Sequence, residues 1–119
     1  MYQYKARVAR VVDGDTVYVS VDLGFYLRQE MKLRLKGINT PEIRGPERPE
    51  GLKARQFVVE ALAPCPAVVI NTYKIGKYGR YIADLWYLPS SDDPAEILEK
   101  GRCLNQVLLE QELARPVEY

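Results

Sequence analysis

Three runs of alternating polar and apolar residues in the first 35 positions constrain the fold more than any other feature. They cover residues 4–12, 17–22 and 31–35. A period of two predicts β-strands with one buried face, and the Asp13-Gly14 pair between the first two runs is typical of a tight turn. The chain is therefore predicted to begin as an antiparallel meander. Leu23 to Glu30 is predicted to be a loop or a wide hairpin, with Phe25 and Leu27 packed on a neighbouring element.

The rest of the chain is predicted to alternate between helix and strand. Apolar residues at helical spacing predict a helix over Leu52–Ala63, which Pro64 ends. The other predicted elements are strands over Ala67–Thr72 and Tyr81–Leu88, a short helix capped by Asp93 and closed by Gly101, and a final helix over Leu104–Leu113. This order predicts a mainly β fold with α, namely a five-stranded barrel of the OB type packed with two to three helices. An open α+β sheet is the alternative. At 119 residues, the chain is expected to form a single domain over 1–119.

Composition excludes several kinds of site. The chain has no histidine, which excludes Ser-His-Asp and Cys-His nucleophile systems and His-ligated zinc. Its two cysteines, Cys65 and Cys103, lack CxxC spacing, so we expect buried thiols rather than a zinc site. Because the net charge is only +1, any nucleic-acid binding must come from local placement of Lys and Arg.

The sequence predicts neither a signal peptide nor a membrane span. Met1 to Arg10 lacks the apolar segment of a signal peptide, and no run has the length of a membrane span. We therefore expect a cytoplasmic or otherwise intracellular protein that does not contact membranes, and we expect a monomer.

Two polar stretches are candidates for one site. Arg34–Glu42 runs from the third strand into a loop and carries a guanidinium, a carboxamide, a hydroxyl and a carboxylate, while Asp13–Thr16 joins the first two strands. Taken singly, Asp residues are ordinary in turns, and Arg34 is typical of a solvated strand face. If the two loops meet, three or four oxygen ligands and one arginine converge on a single point. That combination suits a hard cation and a phosphate.

Five segments resemble the staphylococcal-nuclease-like (thermonuclease) family. They are Val12–Thr16, Arg34–Glu42, Ala54–Phe57, Lys77–Arg80 and Gly101–Asn105, and they occur in the family's order over roughly residues 5–114. One such motif is weak evidence, whereas five in register are specific. The resemblance implies an OB-fold barrel and Ca²⁺-dependent hydrolysis of phosphodiester bonds in DNA and RNA, with Mg²⁺ or Mn²⁺ as alternatives at an oxygen site.

The resemblance also implies a metal site. Asp15 matches the family's carboxylate ligand, and Thr40 matches the residue whose backbone carbonyl binds the same ion. Asp13 matches an acidic residue near the metal that does not touch it. Asn39 stands where the best-known members have a second aspartate ligand. Its amide oxygen can still coordinate Ca²⁺, but with one negative charge fewer the affinity is expected to be weaker.

Catalytic roles follow from the same resemblance. Glu42 matches the glutamate assigned as general base, and Arg34 and Arg80 match the two arginines on the scissile phosphate. Lys77 and Tyr78 match contacts to the nucleotide's other phosphate. The sequence thus predicts a metal-dependent nuclease with DNA, RNA or both as substrate. The alternative is a catalytically inactive barrel that binds nucleic acid or a protein partner, and Asn39 is the feature that favours it.

Overall fold

Five long strands form the body of the protein. A computed structural model describes residues 2–75 and 81–117. The long strands are β1 (Tyr2–Asp13), β2 (Thr16–Gly24), β3 (Leu27–Leu35), β5 (Val68–Ile75) and β6 (Tyr81–Tyr87), and the short ones are β4 (Ile38–Asn39), β7 (Arg102–Cys103) and β8 (Arg115–Pro116). Three α-helices accompany them: α1 (Arg48–Leu62), α2 (Pro94–Lys100) and α3 (Leu104–Glu110).

The long strands close into a barrel. They pair in the order β3-β2-β1-β5-β6, and a parallel pairing between β3 and β6 joins the two ends of that sheet. The predicted five-stranded OB-type barrel with helices is therefore confirmed, and the open sheet is excluded. No described helix combines the length and hydropathy needed to cross a membrane.

The barrel interior contains the apolar half of each alternating run. Val17, Val19, Val21, Leu33 and Leu35 have no exposed surface. Val58 and Leu62 of α1 and Leu104 and Leu108 of α3 extend this core at the barrel's ends. Outside the barrel, Ile97 of α2 packs against Ala67 and Val69 in a second, smaller cluster. Because the apolar side chains of each strand point into the core, the polar side chains between them point outward.

Leu23 to Glu30 forms a hairpin, but the predicted width of its turn and the predicted packing of Phe25 and Leu27 were wrong. The chain forms a two-residue turn at Phe25-Tyr26, and β3 begins directly at Leu27. Phe25 is 93% exposed and Leu27 is 60% exposed, so neither packs on a neighbour. The hairpin extends beyond the core, and its outer part is held by backbone pairing between β2 and β3. Because this outer part of β3 has no buried face, its residues show no alternating pattern.

The helices depart from prediction mainly at their ends. Helix α1 begins at Arg48, ahead of the predicted Leu52, because Pro49 suits a first turn. Leu52 is 39% exposed, and Gly51 and Ala54 lie on the buried face instead. Helix α2 is capped by Asp93 as predicted. Helix α3 ends at Glu110 rather than Leu113, and the following segment turns back so that β8 pairs with β4.

Candidate active site

The two predicted loops meet at one end of the barrel. The backbone N–H of Thr40 donates to Asp15 Oδ2 at 2.9 Å, and the N–H of Leu35 donates to the Asp15 carbonyl at 2.9 Å. Asp15 and Thr40 are both almost fully buried. These bonds join the β1–β2 turn to the end of β3 and to the loop that follows. The oxygen groups that the sequence placed in separate loops therefore share one location.

Gly14 makes this meeting sterically feasible. A Cβ atom at Gly14 would lie 2.8 Å from Thr40 Cγ2 and 2.8 Å from Ala54 Cβ on α1. Such distances are far below ordinary van der Waals contact. Any larger residue would push the Asp13–Asp15 turn away from the Thr40 loop. The glycine of the turn is thus needed for close packing, in addition to its suitability for a tight turn.

Arg34 lies against both predicted side-chain ligands. Its guanidinium forms an ion pair with the Asp15 carboxylate and donates a hydrogen bond to Asn39 Oδ1 at 3.0 Å. Arg34 projects outward from β3, as its alternation predicted, yet its side chain is only 13% exposed because these groups surround it. The guanidinium spans the Asp15 and Asn39 oxygens, which places these two acceptors within one small site.

The pKa values of the two aspartates in the turn are shifted in opposite directions. Burial, assisted by the neighbouring Asp15, raises the pKa of Asp13 to about 7. Burial acts on the pKa of Asp15 in the same sense, but hydrogen bonds from Asp13 and the Thr40 N–H, together with the Arg34 charge, lower it overall. Asp15 is therefore the more acidic member of the pair. It is the carboxylate available to a cation.

The metal ligands predicted from the sequence are all oxygens, namely the Asp15 carboxylate, the Asn39 amide and the Thr40 carbonyl. Two further buried oxygens, Asp13 Oδ1 and Thr40 Oγ1, have no hydrogen-bond partner among the described residues. No three His, Cys, Asp or Glu side chains within the described ranges are grouped to hold a metal. A hard cation therefore fits only through mixed ligation by carboxylate, amide and carbonyl oxygens.

Glu42 follows Thr40 in the same loop, and this loop packs against α1. Its side chain is exposed and forms no hydrogen bond or ion pair with any described residue. A Cβ atom at Gly51 would lie 2.1 Å from the Glu42 carbonyl oxygen, so the loop rests directly on the glycine of the helix. The predicted helix began at Leu52, so Gly51 lay outside it and this contact was not predicted. The Glu42 carboxylate therefore has no partner among the described residues, while the contact with Gly51 fixes the position of the Glu42 backbone.

Three predicted site residues cannot be placed. Lys77, Tyr78 and Arg80 lie outside the described residues. The strands on either side of them, β5 and β6, are described, and β6 pairs with β3 beside Arg34 through Ile82.

Asn105 supports the site and was not assigned a role from the sequence. Its amide donates to the carbonyls of Lys36 and Ala83 at 2.9 and 3.2 Å, and its Oδ1 accepts the N–H of Leu85 at 3.1 Å. These bonds tie α3 to β6 and to the residue after β3, from which the Asn39–Thr40 loop departs. The one sequence feature that could have indicated this role is an asparagine beside Leu104, at a buried position of the predicted final helix.

A cleft of about 240 Å³ borders the same loop on the side of α1 and the C-terminal segment. Glu47, Glu50 and Glu112 line it, with Arg115 as the basic residue among its lining groups. This excess of carboxylates disfavours a polyphosphate chain.

Comparison with known proteins agrees with the geometry. A family model described as staphylococcal nuclease homologue matches residues 32–119. The match includes Arg34, Asn39, Thr40 and Glu42, whereas Asp15 precedes it and is placed in the site by its hydrogen bond with Thr40. The chain is also 32% identical over 102 residues to the uncharacterized protein MJ1439 of Methanocaldococcus jannaschii. That alignment covers 67% of this chain and 47% of the relative, so the chain spans about half the relative's length.

Proposed function

The chain belongs to the family of staphylococcal nuclease homologues, and from this premise we propose that it is a metal-dependent nuclease that hydrolyses phosphodiester bonds of DNA, RNA or both. One observation carries the proposal: a single guanidinium, that of Arg34, contacts both the Asp15 carboxylate and the Asn39 amide oxygen. A phosphoryl-transfer site needs a cation and a planar donor at the same place. These residues supply the donor and the oxygen ligands.

Calcium is the metal that we propose, with Mg²⁺ or Mn²⁺ as alternatives. Asp15, Asn39 and the Thr40 carbonyl would hold it, since Ca²⁺ accepts oxygen ligands of mixed charge in flexible geometry. Once bound, the ion would withdraw charge from a non-bridging phosphate oxygen and so polarise phosphorus. Asp13 would stay in its buried position beside Asp15 without ligating the ion.

Arg34 is proposed to bind the scissile phosphate. The Asp15 and Asn39 oxygens orient its guanidinium, and the planar group has five N–H donors, so further donors remain for phosphate oxygens. Arg80 is proposed as the second arginine on the same phosphate, and Lys77 and Tyr78 as contacts to the neighbouring phosphate. Each charge-assisted hydrogen bond that strengthens in the transition state contributes roughly 1.5–3 kcal/mol.

Glu42 is proposed as the general base. Its carboxylate would accept a proton from water, whose oxygen attacks phosphorus while the bond to the leaving oxygen breaks. The leaving oxygen would be stabilised by a hydrogen bond from one of the arginines. Positioned proton transfer of this kind contributes about 10²–10⁴-fold in rate. The absence of described partners on the Glu42 carboxylate supports this role, because no bond has to be broken before it acts.

A binding protein without catalysis is the second candidate. It is favoured by Asn39, which removes one negative charge from the proposed metal site. In that case the barrel would bind nucleic acid or a protein partner and leave phosphodiester bonds intact.

Cleavage of labelled single-stranded DNA by purified protein separates the two candidates. We expect cleavage with Ca²⁺, its loss in chelator, its return when Ca²⁺ is added back, and its loss in Glu42→Gln. Tight binding of the oligonucleotide without cleavage under Ca²⁺, Mg²⁺ or Mn²⁺ would contradict the nuclease and favour the binding protein.

A further inference from the structure

The outer face of β1, β2 and β3 carries an excess of positive charge, most of which lies outside the candidate active site. The residues that point outward there include six basic and two acidic side chains: Lys5, Arg7, Arg10, Arg28, Lys32 and Arg34 against Asp22 and Glu30. The whole chain has 17 basic and 16 acidic residues, so the rest of the molecule carries a net negative charge. We call this surface the basic face.

Local contacts keep these cations on the surface of the sheet. Arg10, Tyr18 and Lys32 are neighbours across three strands, with the Arg10 guanidinium 4.4 Å and the Lys32 ammonium 5.7 Å from the centre of the Tyr18 ring. Arg28 donates to the hydroxyl and the carbonyl of Ser20 at 2.9 and 2.8 Å. Within the described residues, Arg34 is the one member of the six that forms an ion pair. The other five cations form no ion pair with any described residue.

A groove adds depth to this face near the far end of the hairpin. It has a volume of about 410 Å³ and is lined by Lys5, Arg7 and Arg28, with Asp22 and Asp92 also at its border. From Arg34 to Arg28 the strand covers about 20 Å at ~3.3 Å per residue. The basic face thus connects the candidate active site to the hairpin turn.

The turn itself presents two aromatic rings to solvent. Phe25 is 93% exposed, and Tyr26 is fully exposed. Both residues have left-handed backbone conformations, with φ of 55° and 62°, which favour Asn and Gly over bulky side chains. Folding gains nothing from these rings, and the backbone conformation is costly for them. Large apolar groups in such a place are typical of a contact surface.

We propose that single-stranded nucleic acid extends from the active site along the basic face, with its phosphates on the five cations other than Arg34 and a base stacked on Phe25 or Tyr26. The inference rests on the proposed function, because the strand is taken to be the one whose phosphate reaches Arg34. Basic grooves combined with aromatic stacking platforms are how proteins bind single strands without sequence preference. Flexible single strands also suit a curved barrel surface.

Two other occupants fit the surface less well. A membrane would receive the apolar turn, but a flat bilayer would leave the cations near Arg34, about 20 Å along the strand, out of contact. A second copy of the chain would bring two basic faces together, and the like charges would repel. The charge and the length of the surface therefore favour a polyanion that follows the strands.

The test replaces the aromatic turn by the residues that its conformation prefers. Phe25→Asn with Tyr26→Gly removes both rings and keeps the turn, so a loss of folding is not expected. Fluorescence anisotropy in chelator, where cleavage is prevented, would measure the dissociation constants of labelled single-stranded DNA of about 4 and about 16 nucleotides, the range of single-strand sites on such barrels. We expect the double variant to bind the long oligonucleotide about fivefold to about 150-fold more weakly and the short one as the wild type does.

Salt dependence provides an independent check on the cations. Arg7→Ala and Lys32→Ala should each reduce the slope of log affinity against log salt by about 0.7 for the long oligonucleotide. Lys100→Ala, which removes an exposed cation from α2, serves as the matched control and should leave the slope unchanged. An equal slope in all four proteins would overturn the assignment of the phosphates to this face.

The outcomes separate this inference from the proposed function. Equal affinity of the wild type and the turn variant for the long oligonucleotide overturns the inference, even if the wild type cleaves DNA. Turn-dependent binding without cleavage supports the inference and contradicts the nuclease. Binding of anionic vesicles that depends on the turn, with no effect on DNA, would identify a membrane as the occupant and overturn the proposal. Turn-dependent dimerisation without an effect on DNA would overturn it in favour of a second copy.

Discussion

The two ends of the β2–β3 hairpin use their side chains in opposite ways. At the end near Asp15 and Arg34, polar groups are buried and bonded to one another, and glycine packing fixes the loops that carry them. At the other end, Phe25 and Tyr26 are exposed, and they occupy backbone conformations that their side chains disfavour. One end is organised internally before any ligand arrives, whereas the other offers surface that only a ligand could cover.

This difference suggests a division of labour within one supersecondary unit. Chemistry requires groups held within a fraction of an ångström, which buried hydrogen bonds provide. Affinity for a long, flexible strand requires area and charge, and these tolerate mobile side chains. The variants below test the division, since changes at the site end should affect the rate of the chemical step and changes at the turn should affect affinity.

The largest effect is expected from Arg34→Lys. Lysine keeps the charge but loses the planar group that spans Asp15 and Asn39, so kcat should fall by about 10²–10³-fold with little change in folding. Rates measured at saturating substrate give the value. Arg48→Lys, at the exposed start of α1, is the matched control. A near-normal rate in Arg34→Lys would remove the guanidinium from the mechanism.

Gly14→Ala tests whether glycine packing holds the site together. The added methyl group meets Thr40 and Ala54 at 2.8 Å, so we expect a loss of about 1–3 kcal/mol in the free energy of unfolding and a lower activity. Denaturant titration gives the stability. Adding Thr40→Ser removes the methyl group that the new Cβ meets and keeps the backbone carbonyl, so the double variant should recover part of the loss. No recovery would mean that the contact with Thr40 is not the cause.

Substitution at the Phe25-Tyr26 turn should instead increase the free energy of unfolding. Phe25→Asn with Tyr26→Gly relieves two left-handed residues, and the free energy of unfolding should rise by about 1–2 kcal/mol. Thermal and denaturant unfolding would show the change. A variant less stable than the wild type would indicate that the rings stabilise the fold, and the contrast between the two ends would fail.

Asn39→Asp sharpens the proposed metal site. The new carboxylate adds a negative charge beside Asp15, so Ca²⁺ should bind several-fold more tightly or better. Isothermal titration calorimetry of both proteins gives the dissociation constants. If the two constants agree, the side chain at position 39 does not ligate the ion.

The smallest effect concerns pH. The pKa of Asp13 is about 7 in the folded state against an ordinary value of 3.8, so the folded protein binds the proton more tightly than the unfolded chain does. The metal-free protein should therefore lose stability as pH rises from about 4 to about 7, by on the order of 1 kcal/mol because the side chain is only half-buried. Asp13→Asn should flatten this dependence. An identical pH profile in both proteins would show that Asp13 is not the group responsible.

Much of the fold could be predicted because burial imposes a period on the sequence. The strands with one face in the core, such as Val17 to Val21, display strict alternation and were predicted correctly. Leu27 to Glu30 forms the outer part of β3, which has no face in the core, and Phe25-Tyr26 lacks the Asn-Gly signal of a tight hairpin. The part of the hairpin now proposed to bind nucleic acid was therefore the part that the sequence predicted worst.

The site could be predicted only in part, for a similar reason. Individual groups in the Asp13–Thr16 and Arg34–Glu42 stretches could be identified, and the resemblance indicated which of them to consider together. Their joining depends on Gly14 packing against Thr40 and on Asn105, whose bond to Lys36 links residues 69 positions apart. Such contacts leave no local pattern, because they depend on how the barrel closes.

The proposed separation of chemistry from binding is best tested by single-turnover cleavage of a labelled oligonucleotide of about 16 nucleotides in Ca²⁺, over a range of protein concentrations. We expect Glu42→Gln to lower the maximal rate by about 100-fold or more and to leave the half-saturating concentration near that of the wild type. We expect Phe25→Asn with Tyr26→Gly to raise the half-saturating concentration at least about fivefold and to leave the maximal rate unchanged. A wild-type maximal rate in Glu42→Gln, or cleavage that persists in chelator, would rule out the proposed metal-dependent mechanism.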